Sequence, residues 1–156
     1  FSHINCGRLL PYPIKFIISE IYNANLIFNQ LLSNWKQIMS IGPLTTHVLD
    51  TFNGKPGSGI KGSIYIFEEA NKKKIKDFTL NEDGRCDTPV LENDHFNIGK
   101  YEIQFFCGEY FRKFTKLDEI PFLDDVVIRF GISDINEHYH VPLLISPWSY
   151  TTYRGS

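Results

Sequence analysis

The sequence ends in a run rich in histidine, proline and aromatic residues, His138-Tyr139-His140-Val141-Pro142-Leu143-Leu144-Ile145-Ser146-Pro147-Trp148-Ser149-Tyr150-Thr151-Thr152-Tyr153-Arg154-Gly155-Ser156. From residue 148 onward the side chains alternate as they do along a β-strand, where successive residues point to opposite faces. One face carries Trp148, Tyr150 and Thr152, and the other carries Ser149, Thr151 and Tyr153. A tail built as a strand is predicted to be buried, and a buried Arg154 would need a specific partner. We therefore expect a functional site here.

The same period of two extends back from this run to Pro43. Seven segments show the strand pattern: 45–50, 62–68, 74–80, 99–106, 125–132, 139–146 and 148–154. Turn signals such as Asn53-Gly54 and Asp83-Gly84 separate them. Within this region only residues 109–117 are predicted to be helical. Short strands at this spacing predict an all-β fold, a β-sandwich domain over residues 43–156.

Residues 1–42 have a different pattern. Apolar side chains recur at intervals of three and four between Ile14 and Ile38, which is typical of an amphipathic helix. Pro13 suits the start of such a helix and Gly42 lies just past its end. We predict an N-terminal helical extension that docks on the domain or on a partner. A loosely ordered extension, weakened by its asparagines, is the alternative. The sequence assigns this extension no role.

Composition narrows the class of protein. The formal net charge is −2, which offers no cationic surface for nucleic acid. The longest uncharged stretch, residues 21–35, is too short to cross a bilayer, so no membrane partner is expected. Cys6, Cys86 and Cys107 form neither a CxxC pair nor an even disulfide framework. They are typical of reduced thiols in an intracellular protein.

Two catalytic motifs can be set aside. Residues 57–62 match the dinucleotide fingerprint GxGxxG, but that motif functions between a strand and a helix of a βαβ unit. Here a turn precedes it and a strand follows, so we interpret it as a glycine-rich hairpin. The chain also has no GxSxG element, the strained turn that exposes a nucleophilic serine. Ser156 is therefore not expected to be a covalent nucleophile.

A zinc site is one hypothesis for the histidines. His138 and His140 are two residues apart, so on a strand they share one face, and His47 on another strand could join them. No cysteine or carboxylate completes a recognisable ligand spacing. Histidine pairs also serve acid–base chemistry and ordinary hydrogen bonding. We expect no metal.

Acid–base chemistry is the other hypothesis. His47 lies in the middle of a predicted strand, where an aliphatic residue is more common, and Arg85 ends the turn at residues 81–85. Taken singly, His47 could be a hydrogen-bonded structural histidine and Arg85 a solvated surface charge. Together with a second imidazole they suit hydrolysis of an activated cyclic amide. One imidazole would take a proton from water while the arginine stabilises the developing oxyanion.

Several motifs of residues 43–156 resemble those of the 5-hydroxyisourate hydrolases, the transthyretin-like enzymes of urate breakdown. The closing Tyr-Arg-Gly-Ser is the most specific of them, and residues 1–42 have no counterpart. The matching pieces are Leu44-Thr45-Thr46-His47-Val48-Leu49-Asp50 with Gly54-Lys55-Pro56, Asp83-Gly84-Arg85, Gly99-Lys100-Tyr101 with Tyr110-Phe111, His138-Tyr139-His140-Val141-Pro142-Leu143-Leu144, and Tyr153-Arg154-Gly155-Ser156.

The resemblance implies a transthyretin-like β-sandwich of eight strands with one short helix, the eighth strand lying between Arg85 and Asp94. It implies a homotetramer whose sites lie in the channel between dimers, in the cytoplasm or the peroxisome. The implied reaction is hydrolysis of 5-hydroxyisourate to 2-oxo-4-hydroxy-4-carboxy-5-ureidoimidazoline, without metal or cofactor. By motif, the catalytic residues are His47, Arg85, His140 and Ser156, and the substrate-binding residues are His47, Arg85, Tyr153 and Arg154.

Two other functions remain open at this point. Transthyretin has the same sandwich and carries a thyroid hormone in the same central channel, so fold alone does not decide between carrier and enzyme. Carriers lack the two histidines and the Tyr-Arg-Gly-Ser end, which this chain has. The third possibility is an inactive relative whose residues 1–42 obstruct assembly or the channel.

Overall fold

The chain divides into two units, Phe1–Ser40 and Ile41–Ser156. The structure is a computed structural model that describes residues 25–30, 42–69 and 71–155. Residues 25–30 are helical, inside the segment that the sequence predicts to be an amphipathic helix. The rest of that segment lies outside the described residues, and the role of the extension stays a prediction.

The second unit is a sandwich of two four-stranded sheets, which confirms the predicted fold class. In chain order the elements are β1 (Leu44–Asp50), β2 (Lys55–Pro56), β3 (Lys61–Glu68), β4 (Asn71–Thr79), a 3-10 turn (Asn93–His95), β5 (Gly99–Phe106), helix α1 (Cys107–Phe111), β6 (Asp125–Ile132), β7 (Tyr139–Ser146) and β8 (Ser149–Thr152). The first sheet has the order β2-β1-β7-β8 and the second has the order β4-β3-β5-β6.

Alternating side chains along the strands build the core between the sheets. In β1 the inward positions are buried and the outward ones are half-buried or exposed. The buried inward-facing members of β1 and β7 are Leu44, Thr46, Val48, Asp50, Tyr139, Val141, Leu143 and Ile145, and Pro142 of β7 is also buried. Full burial of one Val, Leu or Ile side chain contributes about 1.5–3 kcal/mol to the free energy of folding. The apolar members of these two strands therefore hold the first sheet firmly against the second.

The first sheet is centred on a parallel pair, β1 and β7. Their register places Thr45 opposite His140, His47 opposite Pro142 and Leu49 opposite Leu144. Residues paired in a sheet lie on the same face. All of these side chains therefore lie on the outer face of the first sheet, away from the core.

Asp50, a buried carboxylate, fixes the end of β1. Its Oδ1 accepts hydrogen bonds from the backbone N–H of Phe52 and of Asn53, at 3.0 and 2.9 Å. Its Oδ2 accepts from the Tyr110 hydroxyl at 2.9 Å and from the Asn53 amide at 2.6 Å. These bonds satisfy a charged group that would be costly to bury alone, and they join β1 to α1.

The eighth strand is not where we predicted it. It is β2, which pairs antiparallel with the end of β1. Between residues 85 and 94 the chain forms no strand, and Pro89, which lacks a backbone donor, interrupts any continuous ladder there. Two isolated bridges fall in or border this segment, His47 to Arg85 and Leu44 to Leu91.

As predicted, the glycine-rich segment 57–62 leads into a strand, β3, but it follows strand β2 rather than a turn, and it is not a hairpin. β2 and β3 belong to different sheets, so the segment carries the chain from one layer to the other. Gly59 has a φ of +78°, a conformation that favours glycine.

Helix α1 is shorter than the predicted 109–117 and begins earlier. Its first turn is tied to the chain before β6, because Gly108 N–H donates to the Asp124 carbonyl at 2.7 Å. After Phe111 the backbone turns instead of continuing the helix. Across the described residues, no helix is both long and apolar enough to cross a membrane.

The predicted burial of the tail is wrong for the single chain. Trp148 is 58% exposed and Tyr150 is 44% exposed, and the Arg154 side chain is also largely open to solvent. The physical reason is that β8 is an edge strand, whose one neighbour among the described strands is β7. Arg154 does have a specific partner, the Glu137 carboxylate, although both lie at the surface.

Candidate active site

Strand β1 places two polar side chains on the outer face of the first sheet. Thr45 and His47 are half-buried and alternate with the buried Leu44, Thr46 and Val48. The alternation explains why a histidine is tolerated in the middle of a strand whose other face is core. The imidazole of His47 points away from the apolar interior and toward the open face.

Strand β7 brings two further imidazoles to the same region. The Oγ1 of Thr45 lies 2.7 Å from Nε2 of His138 and 2.9 Å from Nδ1 of His140. The centroids of the two imidazole rings are 6.2 Å apart. His140 is half-buried and His138 is exposed. A single threonine hydroxyl therefore joins both histidines of the closing run.

Arg85 reaches His47 because of a tight turn. Oδ1 of Asn81 accepts from the backbone N–H groups of Asp83 and Arg85, at 3.0 and 3.1 Å. Gly84 has a φ of +70°, and a Cβ placed there would lie 2.5 Å from the Val48 carbonyl oxygen. Only glycine lets the turn approach β1 this closely. The approach forms the isolated bridge in which Arg85 lies beside His47.

Gly155 packs against the His140 ring. The two residues form a bridge, with Gly155 N–H donating to the His140 carbonyl at 2.8 Å. A Cβ on Gly155 would lie 2.9 Å from Cδ2 of His140, so the ring and the tail backbone leave no room for a side chain. Ser156, a predicted catalytic residue, lies outside the described residues.

Tyr153 and Arg154 lie apart from the histidines. The Arg154 guanidinium is paired with Glu137 and lies 4.5 Å from the centre of the Tyr139 ring. Tyr139 is a core residue, so Arg154 is directed to the opposite side of the sheet from His140. Both predicted binding residues line a cavity of about 240 Å³ at the open edge of the sandwich, next to β6. The structure thus brings together His47, Arg85 and His140, but not Tyr153 or Arg154.

The two site histidines are held toward their neutral forms. Partial burial lowers the pKa of His47, and the nearby Arg85 lowers it further, while the carbonyl and charge of Asp83 oppose this. Burial also lowers the pKa of His140, followed by the charges of Arg85, His138 and His47, and the Thr45 backbone opposes it. A neutral imidazole is the form that can accept a proton from water.

The single chain leaves this site open. A cavity of about 150 Å³ lies beside Arg85 and extends along residues 85–89, next to Thr45 and Thr46. Sites for small molecules usually enclose about 300–1,000 Å³. A larger concavity of about 690 Å³ lies on the second sheet, is lined by residues of β3, β4 and β5, and contains none of the predicted site residues.

The described residues also bear on two other kinds of chemistry, metal binding and thiol nucleophilicity. Among the described residues, no three His, Cys, Asp or Glu side chains are grouped so that they could hold a metal ion. The two described cysteines, Cys86 and Cys107, have free thiols. Burial raises the pKa of the Cys107 thiol to about 12. A thiol of this kind is a poor nucleophile.

Two residues of the site, Thr45 and Gly155, are not predicted from the sequence. Thr45 lies two residues from His47 and must share its face, but its role becomes visible only in the structure. Gly155 likewise has no predicted role of its own, although it packs directly on His140. The two-residue spacing from His47 could have indicated Thr45. The role of Gly155 depends on a close approach to His140 that only the structure reveals.

The pKa values of His47 and His140 can be measured directly. We expect both to titrate below the ordinary histidine value of about 6.5. Arg85→Gln removes a positive charge near both rings, so both pKa values should rise without reaching that value, because burial remains. Arg85→Lys keeps the charge and should leave them nearly unchanged. NMR titration of the ring C–H signals provides the measurement, and unshifted values in Arg85→Gln would contradict this electrostatic picture.

Comparison with known proteins identifies the relatives of this chain. The model of the family described as the HIUase/Transthyretin family matches residues 44–155. The 5-hydroxyisourate hydrolase of Pseudomonas aeruginosa is 52% identical over 117 residues, covering 74% of this chain and 93% of that protein.

Two solved structures share the architecture. The 5-hydroxyisourate hydrolase of Klebsiella pneumoniae matches with a TM-score of 0.60 and 27% identity, covering 74% of this chain and 100% of that chain. Transthyretin of Sparus aurata matches with a TM-score of 0.65 and 23% identity, covering 72% and 96%, and supports the fold alone. From the extent of these matches, the chain belongs to the HIUase/Transthyretin family.

Proposed function

We propose that residues 43–156 hydrolyse 5-hydroxyisourate to 2-oxo-4-hydroxy-4-carboxy-5-ureidoimidazoline. The observation that carries this proposal is the meeting of His47, Arg85 and His140 on one outer face of the first sheet. The extensive match to proteins named 5-hydroxyisourate hydrolase supports the choice of substrate.

The chemistry follows from the charges of these three residues. Neutral imidazoles with lowered pKa values are suited to remove a proton from water, which then attacks the carbonyl carbon of the cyclic amide. The Arg85 guanidinium would hold the oxyanion that develops on the carbonyl oxygen. The C–N bond of the amide then breaks, and the leaving nitrogen takes a proton from an imidazolium. No group on the enzyme forms a covalent bond in this sequence.

The C-terminal tail is proposed to contribute to catalysis by placing its groups near His140. Ser156 follows Gly155, whose backbone is bonded to His140, so we propose that its hydroxyl lies close enough to bind the substrate or the attacking water. We propose that Arg154 acts indirectly, because its ion pair with Glu137 anchors the segment that carries Gly155. Tyr153 lines the separate cavity next to β6, so we propose that any effect it has on the site is indirect.

A carrier function is the alternative. A carrier of an apolar hormone would be expected to present an apolar face, whereas this outer face carries two site histidines and an arginine. Leaving these charged and polar groups without substrate or water would be costly in a closed apolar channel. The hydrolase is therefore favoured.

We also propose that the chain assembles as a homotetramer, in the cytoplasm or the peroxisome. In the described chain, β6 and β8 are edge strands without a partner on their outer sides, and such edges tend to pair with another chain. A second subunit facing the first sheet would enclose the open site. The free thiols of Cys86 and Cys107 are in keeping with a reducing compartment.

The hydrolase proposal predicts a large effect of either histidine. His47→Asn and His140→Asn should each lower kcat by roughly 10²–10⁴-fold, the usual contribution of general acid–base catalysis. The assay follows decay of freshly generated 5-hydroxyisourate, with circular dichroism as a check on folding. His95→Asn, at an exposed histidine of the 3-10 turn, is the matched control and should retain full activity. Wild-type rates in both site variants would refute the assignment.

Gly155→Ala tests whether the tail positions His140. The new methyl group would overlap the edge of the imidazole, so the ring must move. A displacement of this kind should cost about 10²-fold in kcat, with the fold intact. Gly131→Ala is the matched control, because a Cβ there meets only the Gly99 carbonyl oxygen, at 3.9 Å. Equal activity of the two variants would show that the close packing has no catalytic role.

The assembly is tested by sedimentation equilibrium of the purified protein. We expect a mass about four times the 18.1 kDa of the chain, and activity that falls on dilution to concentrations at which the tetramer dissociates. A fully active monomer would show that one chain completes the site.

A further inference from the structure

One hydroxyl connects two imidazoles at this site. Oγ1 of Thr45 lies within hydrogen-bond distance of Nε2 of His138 and of Nδ1 of His140, at 2.7 and 2.9 Å. Both distances are normal for hydrogen bonds between oxygen and nitrogen. The pairing of β1 with β7 fixes this arrangement, because Thr45 is directly opposite His140 in the ladder.

The number of protons restricts how the three groups can bond. A threonine hydroxyl has one proton to donate and lone pairs to accept with, and a neutral imidazole has one N–H and one bare nitrogen. Thr45 can therefore donate to only one of the two rings, and the other ring must donate to Thr45. The tautomer of His140 is thus linked to the tautomer of His138 through Thr45.

The three groups run from the site to solvent. His140 is half-buried, and its Nδ1 is the ring nitrogen that lies next to Thr45 Oγ1, so Nε2 is the nitrogen that would act on a substrate or water. His138, at the other end, is exposed. The line from Nε2 of His140 to the ring of His138 therefore leads outward from the site.

We propose that Thr45 and His138 form a proton relay for His140, an inference that rests on the proposed function. In the resting state Nδ1–H of His140 donates to Thr45, and the Thr45 hydroxyl donates to Nε2 of His138. Nε2 of His140 takes a proton from the attacking water. The Nδ1 proton passes to the Thr45 oxygen, and the Thr45 proton passes to Nε2 of His138. His140 ends neutral with its proton on Nε2, the Thr45 hydroxyl is restored with its hydrogen bonds reversed, and His138 holds the extra proton at the exposed end. When the C–N bond breaks, Nε2–H of His140 gives its proton to the leaving nitrogen and the imidazolium of His138 returns a proton to Nδ1 through Thr45, so that all three groups regain the resting state.

The charges around His140 favour removal of the extra proton from its ring. Arg85, His47 and His138 are the groups whose charges act on His140, and all disfavour a positive charge on its ring. An imidazolium at His140 would lie close to the Arg85 cation. Passing the proton to His138 moves the charge to an exposed ring, where water screens it. Thr45 is thus a positioning residue, and His140 is the general base.

The tautomers can be measured without any assay of activity. In neutral wild-type protein, long-range ¹⁵N–¹H NMR spectra should show His140 protonated at Nδ1 and bare at Nε2. Thr45→Val keeps the shape of the side chain but removes the hydroxyl, and His140 should then change to the Nε2–H tautomer. Thr45→Ser should keep the wild-type pattern. Thr79→Val, the same change at an exposed strand position of the other sheet, should have no effect.

Kinetics test the transfer itself. Thr45→Val should lower kcat by about 10–100-fold, part of the usual gain from acid–base catalysis, with little change in KM. The wild-type rate in mixtures of H₂O and D₂O should fall along a curve, which indicates several protons in motion. For Thr45→Val the plot should be linear, and Thr45→Ser should restore the curve.

His138→Gln tests the outer end of the relay. A glutamine can accept a hydrogen bond from Thr45 but cannot carry a proton away, so kcat should fall by about tenfold or more, within the usual range for an acid–base group. Because this position is exposed, imidazole added at constant pH should restore part of the rate. Wild-type turnover in His138→Gln, or an Nε2–H tautomer of His140 in the wild type, would overturn the relay. A wild type without hydrolase activity would refute the proposed function, and the NMR result would still decide whether Thr45 sets the tautomer.

Discussion

The parallel pairing of β1 with β7 is the constraint on which the site depends. These strands are far apart in the sequence, and their ladder aligns Thr45 with His140 and His47 with Pro142. A shift of one residue would turn every side chain of one strand to the other face. The core prevents such a shift, because the inward positions of both strands are buried apolar side chains or hydrogen-bonded polar groups. Apolar packing on one face thus fixes the geometry of polar groups on the other.

Much of this could be predicted from local pattern. The alternation along 99–106, 125–132 and 139–146 predicted three strands, and their observed bounds are the same. The prediction was accurate because each of these strands has one face on the core. β4 begins at Asn71, three residues before the predicted start. Its run of lysines resembles a turn in the sequence, but charged side chains are also normal on an edge strand, where β4 lies.

Other features depend on contacts between distant residues, which local pattern does not contain. The sequence indicated His47, Arg85 and His140 separately, since each is unusual in its own segment or part of a motif. It could not show that β1 and β7 are parallel neighbours, because a parallel pair is joined through distant chain. The same limit explains why the Thr45 contacts were missed. It also explains why the position of Arg154 could not be predicted. Its partners Glu137 and Tyr139 direct its side chain away from the histidines.

Placing the site on an outer face has an electrostatic consequence. In the single chain, Arg85 is exposed and water screens its charge. If a second subunit covers this face, the screening falls, and the repulsion between Arg85 and a protonated His47 or His140 grows. Assembly would then lower both pKa values further and hold both imidazoles neutral. The same closure would raise the cost of leaving a proton on His140. A path through Thr45 to the outer ring of His138 therefore becomes more valuable as the site is enclosed, which links the assembly of subunits to the way that protons leave the site.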